Sequence, residues 1–385
     1  MSTHDELNGY GRHYLQNDSY GSAAFFFYKS IQEHAENNNA WNGLVLSITL
    51  MRREGDARSM LARFSLQPGL DYDRDMLTFA MMLWQQNPLA LAQWLEAVAQ
   101  MKDILPQDKQ SLTELAADLH KGYQDFVNQY GEDSEQVKAM PSLREIASQA
   151  TELDWLYGQP IDQVYEVIKP WLEDDDLVMT GVRMLCMLPD PRSEKLLRRI
   201  ARSEEAESKV KTQALIALRW LGIRGNAKIN KFSESFTINL DDPQRELTIS
   251  VPQAFKPALD RMKLWLAKEQ DIITIEEYEE YASDDSLQLT EAMGEKLNAS
   301  DFPSIWQEVV HALIRAAYDK YYPLVPTVTG YRDWSAAFLM LLQDYASGTG
   351  QAWNYGNPEQ IETAVQHKNW LLSGSPDFYQ AISGA

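Results

Sequence analysis

The chain has 385 residues, of which 44% are hydrophobic, and this is enough for two or three domains with apolar cores. With 35 basic and 56 acidic residues, its formal net charge is −21, which argues against general binding to nucleic acid or anionic membranes. The first ten residues contain no apolar leader and no stretch is long enough to span a bilayer, so we expect a cytoplasmic protein.

The first hundred residues carry an apolar pattern that recurs after 30 to 34 residues. The first copy consists of Gly11, Tyr14, Ala23 and Phe27, and the second of Trp41, Leu44, Ala57 and Leu61, with Pro68 near its end. Small residues such as Ala23 and Ala57 allow helices to approach closely, while large ones fill the gaps between them. The spacing resembles the tetratricopeptide repeat, which implies stacked helix pairs over residues 1–105. A third, degraded copy contains Phe79, Leu83, Leu95 and Val98, with a helix break at Asn87-Pro88.

The tetratricopeptide resemblance also implies a binding surface. In that family the first helix of each repeat lines a groove that holds a peptide. The candidate binding residues at the corresponding positions are Asn8, Arg12, Asn39 and Asn42. The chain does not reproduce the family's two-carboxylate clamp, because Gly43 stands where the clamp has asparagine and Asn8 stands where it has lysine.

Between Ile146 and Gly222 a second apolar pattern recurs every 32 residues in helical register. Its columns are Ile146, Val178 and Val210; Ala150, Val182 and Ala214; and Leu153, Leu185 and Ala217. A shorter set, Val164, Tyr165 and Ile168, recurs as Leu196, Leu197 and Ile200. Two helices per unit are predicted, and each unit must stack on its neighbours to bury its apolar face. With the turn Pro189-Asp190-Pro191, the segment resembles short bacterial HEAT repeats, which implies a scaffold or adaptor over residues 106–225.

The only cysteine, Cys186, falls in the same HEAT-like column as Leu218. We therefore predict a buried apolar residue rather than a reactive thiol, and no internal disulfide is possible. Basic residues cluster close by, at Arg192, Lys195, Arg198, Arg199 and Arg202. A solvated face paired with nearby glutamates is favoured over a docking patch for an acidic partner.

After Gly225 the apolar period changes from that of a helix to that of a strand. Phe236, Ile238 and Leu240, then Leu247, Ile249 and Val251, alternate with polar residues on either side of Asp241-Asp242-Pro243-Gln244. One β-hairpin is predicted within residues 226–254. We favour a cap on the helical repeats, and the alternative is an edge that accepts a partner strand. Residues 255–385 are predicted to be helical without a repeat period.

The sequence contains no recognisable catalytic motif, and neither a metal nor another cofactor is predicted. Glu308 and His311 share a helical face, but a di-iron site needs a second such pair, so a hydrogen-bonded histidine is favoured. The predicted fold is mainly α, an α-solenoid of tetratricopeptide-like and then HEAT-like helix pairs, with one small β-hairpin and a C-terminal helical region. The predicted function is that of a non-catalytic scaffold or adaptor with a protein or peptide partner. The alternative is an accessory or regulatory protein that acts on an enzyme or nucleic acid through the C-terminal helical part, and an enzyme is the least favoured class.

Overall fold

A computed structural model of the protein describes residues 3–67, 74–101, 104–298, 300 and 303–383. This part of the chain is mainly α-helical and contains one two-stranded β-sheet, as predicted. The chain divides into two compact units. The first comprises residues 1–200 and 217–226, and the second comprises residues 201–216 and 227–385.

The first unit begins with three pairs of helices. They are α1 (Thr3–Gln16) and α2 (Tyr20–Glu33), α3 (Asn38–Leu50) and α4 (Glu54–Ser65), and α5 (Arg74–Leu83) and α6 (Pro88–Ala99). Helix α2 contacts both α1 and α3, and α1 also contacts α3. Asn37 and Asn87 begin α3 and α6 by accepting hydrogen bonds from first-turn amides, as N-cap residues do. The degraded third copy thus forms a helix pair, while Pro68 lies outside the described residues.

Phe27 is fully buried on α2 and lies between glycines of the two neighbouring helices. A Cβ atom added to Gly11 on α1 would lie 2.6 Å from the Phe27 ring, and one added to Gly43 on α3 would lie 2.3 Å from it. Both distances are far below van der Waals contact. A glycine at position 43 is therefore required by helix packing.

Two of the turns within these helix pairs end in a residue with left-handed backbone. Asp18 has a φ of 56° and Arg52 a φ of 57°. After α3, the amide of Arg53 donates back to the carbonyl of Ile48 at 3.0 Å, which satisfies one of the last carbonyls of the helix. This tight turn places two consecutive arginines immediately before α4.

The remaining helices of the first unit are mostly short, and the last two are each divided between the two units. They are α7 (Pro106–Tyr130), α8 (Glu135–Lys138), α9 (Leu143–Ser148), α10 (Glu152–Gly158), α11 (Ile161–Trp171), α12 (Val178–Leu185), α13 (Pro191–Arg202) and α14 (Ser208–Trp220). Most residues of the 32-residue columns are buried, and Ala150 is the exception. It is exposed because Thr151 and Asp154 form a capping box that starts α10, so the first unit of the pattern is split between two short helices.

Cys186 is buried, and two arginines of the basic cluster near it in the sequence form ion pairs. Cys186 and Leu218 are both buried, with exposures of 2% and 0%, as predicted. In the basic cluster, Arg198 pairs with Glu194 at 2.8 Å, and Arg192 donates to two aspartates. The interpretation of this cluster as a paired, solvated face is therefore supported.

The second unit contains a β-hairpin, as predicted. One of its strands includes Phe236 and Ile238 of the first predicted strand, whereas the second predicted strand was wrong. The strands are β1 (Asn226–Lys231), whose first residue belongs to the first unit, and β2 (Glu234–Asn239). Phe232 and Ser233 form the turn, with φ of 54° and 62°, and residues 247–251 form no strand. Two consecutive left-handed residues suit a two-residue hairpin turn, whereas the sequence signal for a turn lay at Asp241-Asp242-Pro243-Gln244.

The inner face of the hairpin rests on helices. The Nζ atom of Lys231 donates to the hydroxyl of Thr212 on α14 and to the carbonyl of Asp319, both at 2.7 Å. Asp319 belongs to α18 (Ser304–Tyr321). Burial lowers the pKa of Lys231 to about 7, although nearby Asp319 raises it.

The other helices of the second unit include one that is mainly apolar. They are α15 (Lys256–Glu269), α16 (Ile275–Ala282), α17 (Glu291–Asn298), α19 (Tyr331–Gly348), α20 (Glu362–Ser373) and α21 (Phe378–Ser383), and a 3-10 turn at Gln253–Phe255 precedes them. Helix α19 contacts α15, α18, α20 and α21, and most of its residues from Trp334 to Leu342 are fully buried. Across the described ranges, none of the helices combines the length and the apolar character that a membrane crossing requires.

Candidate functional site

The four candidate binding residues lie on two helices that contact each other. Asn8 and Arg12 are on α1, and Asn39 and Asn42 are on α3. Arg12 and Asn39 are exposed and Asn42 is half-buried, so these three can reach a ligand. Asn8 is only 6% exposed, and its Oδ1 atom accepts no hydrogen bond from the described residues. Asn8 thus differs from the other three in being buried and out of a ligand's reach.

Helical periodicity places further side chains beside these residues, of which Leu46 is half-buried and the others are exposed. On α1, Asp5 lies seven residues before Arg12, and Gln16 lies four residues after it. On α3, Leu46 lies four residues after Asn42, and Leu50 lies eight residues after it. Leu50 is 39% exposed. We call this set the α1–α3 face: Asp5, Arg12, Gln16, Asn39, Asn42, Leu46 and Leu50. It combines amide donors and acceptors, an exposed cation and two leucines.

The second helices of the first two pairs are covered by a different part of the unit. The guanidinium of Arg63 on α4 makes two parallel hydrogen bonds of 2.7 Å to the carboxylate of Asp154 on α10. The hydroxyl of Tyr28 on α2 donates to the same carboxylate at 2.8 Å. Arg63 also donates to the carbonyl of Ala147 on α9 at 3.0 Å. Helices α9 and α10 therefore cover α2 and α4, whereas the α1–α3 face is uncovered in this unit.

The side chains that contact Asp154 keep its carboxylate ionised. Partial burial raises the pKa of Asp154, but hydrogen bonds from Arg63, Thr151 and Tyr28 outweigh it and hold that pKa well below its usual range. Asp154 therefore stays ionised at neutral pH and keeps Arg63 and Tyr28 in place. Bidentate arginine–carboxylate pairs are among the stronger polar contacts in proteins. The contact between α10 and the second helices is accordingly well defined.

No group of three or more His, Cys, Asp or Glu side chains in the described part of the chain is placed to hold a metal ion. Glu308 is exposed and His311 is half-buried on α18.

Comparison with protein-family models, with curated proteins and with solved structures finds no match to this chain. The tetratricopeptide and HEAT resemblances thus stay predictions, and the site must be argued from its own residues. Sequence reasoning overlooked Leu46 and Leu50, although their spacing from Asn42 was the signal that could have found them.

Proposed function

We propose that this protein is a non-catalytic scaffold or adaptor that binds a peptide or protein segment on the α1–α3 face. One observation carries the proposal. Helices α9 and α10 cover α2 and α4, while the polar and leucine side chains of α1 and α3 stay accessible. A surface that combines polar side chains with accessible leucines has a composition that suits the binding of a protein or peptide.

Each part of the face has a chemical role in this proposal. The amide of Asn39 can donate to and accept from a peptide backbone, whereas Oδ1 of Asn42 is buried, so Asn42 can contribute only its amide nitrogen. Arg12 attracts a carboxylate or another acidic group of the ligand, and Leu46 and Leu50 contact an apolar side chain. Because Arg12 is exposed, its contribution is screened by salt, so binding should weaken as ionic strength rises.

The proposal can be tested by selecting displayed random peptides on the immobilised full chain. Binders that also bind the Arg12→Glu variant are discarded, so that only peptides sensitive to the α1–α3 face remain. Arg199→Glu serves as the matched control, since Arg199 is an exposed arginine on α13, away from this face. We expect a recurring motif that contains an acidic and an apolar residue, retained by the control variant.

Hydrogen exchange on the full chain then locates the bound peptide. Amides of α1 and α3 should gain protection, while those of α15 to α21 should not change. A selection that yields no binder sensitive to Arg12→Glu would overturn the proposal. Protection confined to residues 255–385 would support the regulatory alternative instead.

A further inference from the structure

A cleft lies in the first unit, where the α3–α4 turn meets the linker between α9 and α10. The cleft has a volume of about 420 Å³, within the range of small-ligand sites. Its lining includes Arg52, Arg53, Gly55, Ser59, Thr151 and Arg183. None of these residues belongs to the α1–α3 face.

Arg53 forms the floor of the cleft, and its side chain is only 2% exposed. Its Nε atom donates to Asp56 at 2.8 Å, and its Nη2 atom pairs with Glu152. The remaining nitrogen, Nη1, is buried and meets no acceptor among the described residues. A buried guanidinium donor without an acceptor is costly, so an arginine left in this state indicates an anion that completes it.

The rim of the cleft carries two further arginines. Arg52 and Arg183 are exposed, and neither has an ion-pair partner among the described residues. The carboxylates nearby are already engaged, since Asp56 and Glu152 pair with Arg53 and Glu54 lies 3.4 Å from Arg58. Two cations without a partner therefore meet at one cleft of a chain whose net charge is −21.

The first turn of α4 adds backbone donors to this site. The N-cap residue Arg53 makes no side-chain capping bond, so the amides of Glu54, Gly55 and Asp56 lack the usual capping partner. All three residues line the cleft. The amino end of a 12-residue helix favours negative charge, and it does so here beside three guanidinium groups.

We propose that this cleft binds an oxyanion, a phosphate or carboxylate group, between Arg52 and Arg183 and against the first turn of α4. Guanidinium groups make paired hydrogen bonds to two oxygens of such a group. The hydroxyl of Ser59, which is buried at the wall of the cleft, donates to a further oxygen. This site is independent of the α1–α3 face, so either proposal can fail without the other.

The test is isothermal titration calorimetry of the full chain at low ionic strength, with inorganic phosphate and, separately, with glutarate. We expect millimolar or tighter binding of at least one of them, and the stronger titrant identifies the phosphate or the carboxylate source. Arg52→Gln and Arg183→Gln should each weaken binding by about tenfold, as the loss of one charged hydrogen-bonding partner does. Arg199→Gln is the matched control and should leave it unchanged.

Gly55→Leu provides a steric test that leaves the charges in place. A Cβ at Gly55 would meet nothing within 4 Å, so a side chain can begin there without a clash and extend into the cleft that Gly55 lines. We expect unchanged helical signal and loss of anion binding. Gly122→Leu on α7 is the control, because a Cβ there also meets open space. The proposal is overturned if neither anion gives heat with the wild-type chain, or if binding persists unchanged in Arg52→Gln, Arg183→Gln and Gly55→Leu.

Discussion

Replacing Gly43 with alanine should destabilise the first unit, although alanine is the better helix former. The new Cβ would lie 2.3 Å from the Phe27 ring, which is fully buried and held between α1 and α3. Overpacking of a filled core costs about 1–3 kcal/mol, while helix propensity returns about 0.5–1 kcal/mol. We therefore expect a net loss of about 1 kcal/mol, and at most about 2.5 kcal/mol, in the free energy of unfolding.

The assay is urea unfolding of the full chain followed by circular dichroism, with Gly55→Ala as the matched control. Gly55 is also a helical glycine, but open space surrounds its added Cβ, so Gly55→Ala should stabilise by up to about 1 kcal/mol. Phe27→Leu, which removes the obstructing ring, should make Gly43→Ala less harmful in a double-mutant cycle. If Gly43→Ala were as stable as Gly55→Ala, the proposed packing of Phe27 against α3 would be refuted.

Three further predictions concern the middle of the chain and the hairpin. Leu218→Asp buries a carboxylate at a fully buried position, so it should abolish most of the cooperative thermal unfolding of the HEAT-like segment; an unchanged melting curve would contradict the 32-residue register. Cys186 should react with a thiol reagent only after denaturation, because it is buried and burial raises its pKa to about 11; rapid labelling of the native protein would reverse this assignment. Burial lowers the folded-state pKa of Lys231 to about 7, below the value of about 10.4 in unfolded chains, so the unfolded chain binds more protons between these values. The stability of the wild type relative to Lys231→Met should therefore rise with pH across that window, by at most about 1.4 kcal/mol per pH unit, and a flat difference in urea unfolding would show that the pKa is not lowered.

Apolar periodicity was the reliable part of the sequence signal. It predicted a mainly helical chain and the burial of Cys186 and Leu218, because a helical face that must be covered repeats every three to four residues. It could not predict the exposure of Ala150, which depends on a capping box that divides one apolar column between two helices. Local hydrogen bonding outweighed periodicity at that point.

Apolar periodicity could not predict the position of the hairpin turn, the residues of the cleft or the burial of Asn8. The hairpin turn uses Phe232 and Ser233, and neither residue type is typical of left-handed backbone. The polar residues at 241–244 are typical of a turn, so the turn was predicted there instead. The cleft residues come from segments far apart in the sequence, such as Arg53 and Arg183, and no local pattern joins them. Asn8 has the spacing that the tetratricopeptide resemblance gives to a binding residue, yet it is buried.

The proposed function is tested most directly by the dissociation constant of one selected peptide for the wild-type chain and for the Arg12→Glu, Asn42→Ala double variant. We expect the variant to bind about tenfold more weakly or worse, which corresponds to about 1.4 kcal/mol or more, with an unchanged helical signal. Arg199→Glu should bind as tightly as the wild type. Equal dissociation constants for the wild type and the double variant would contradict the assignment of the α1–α3 face as the binding surface.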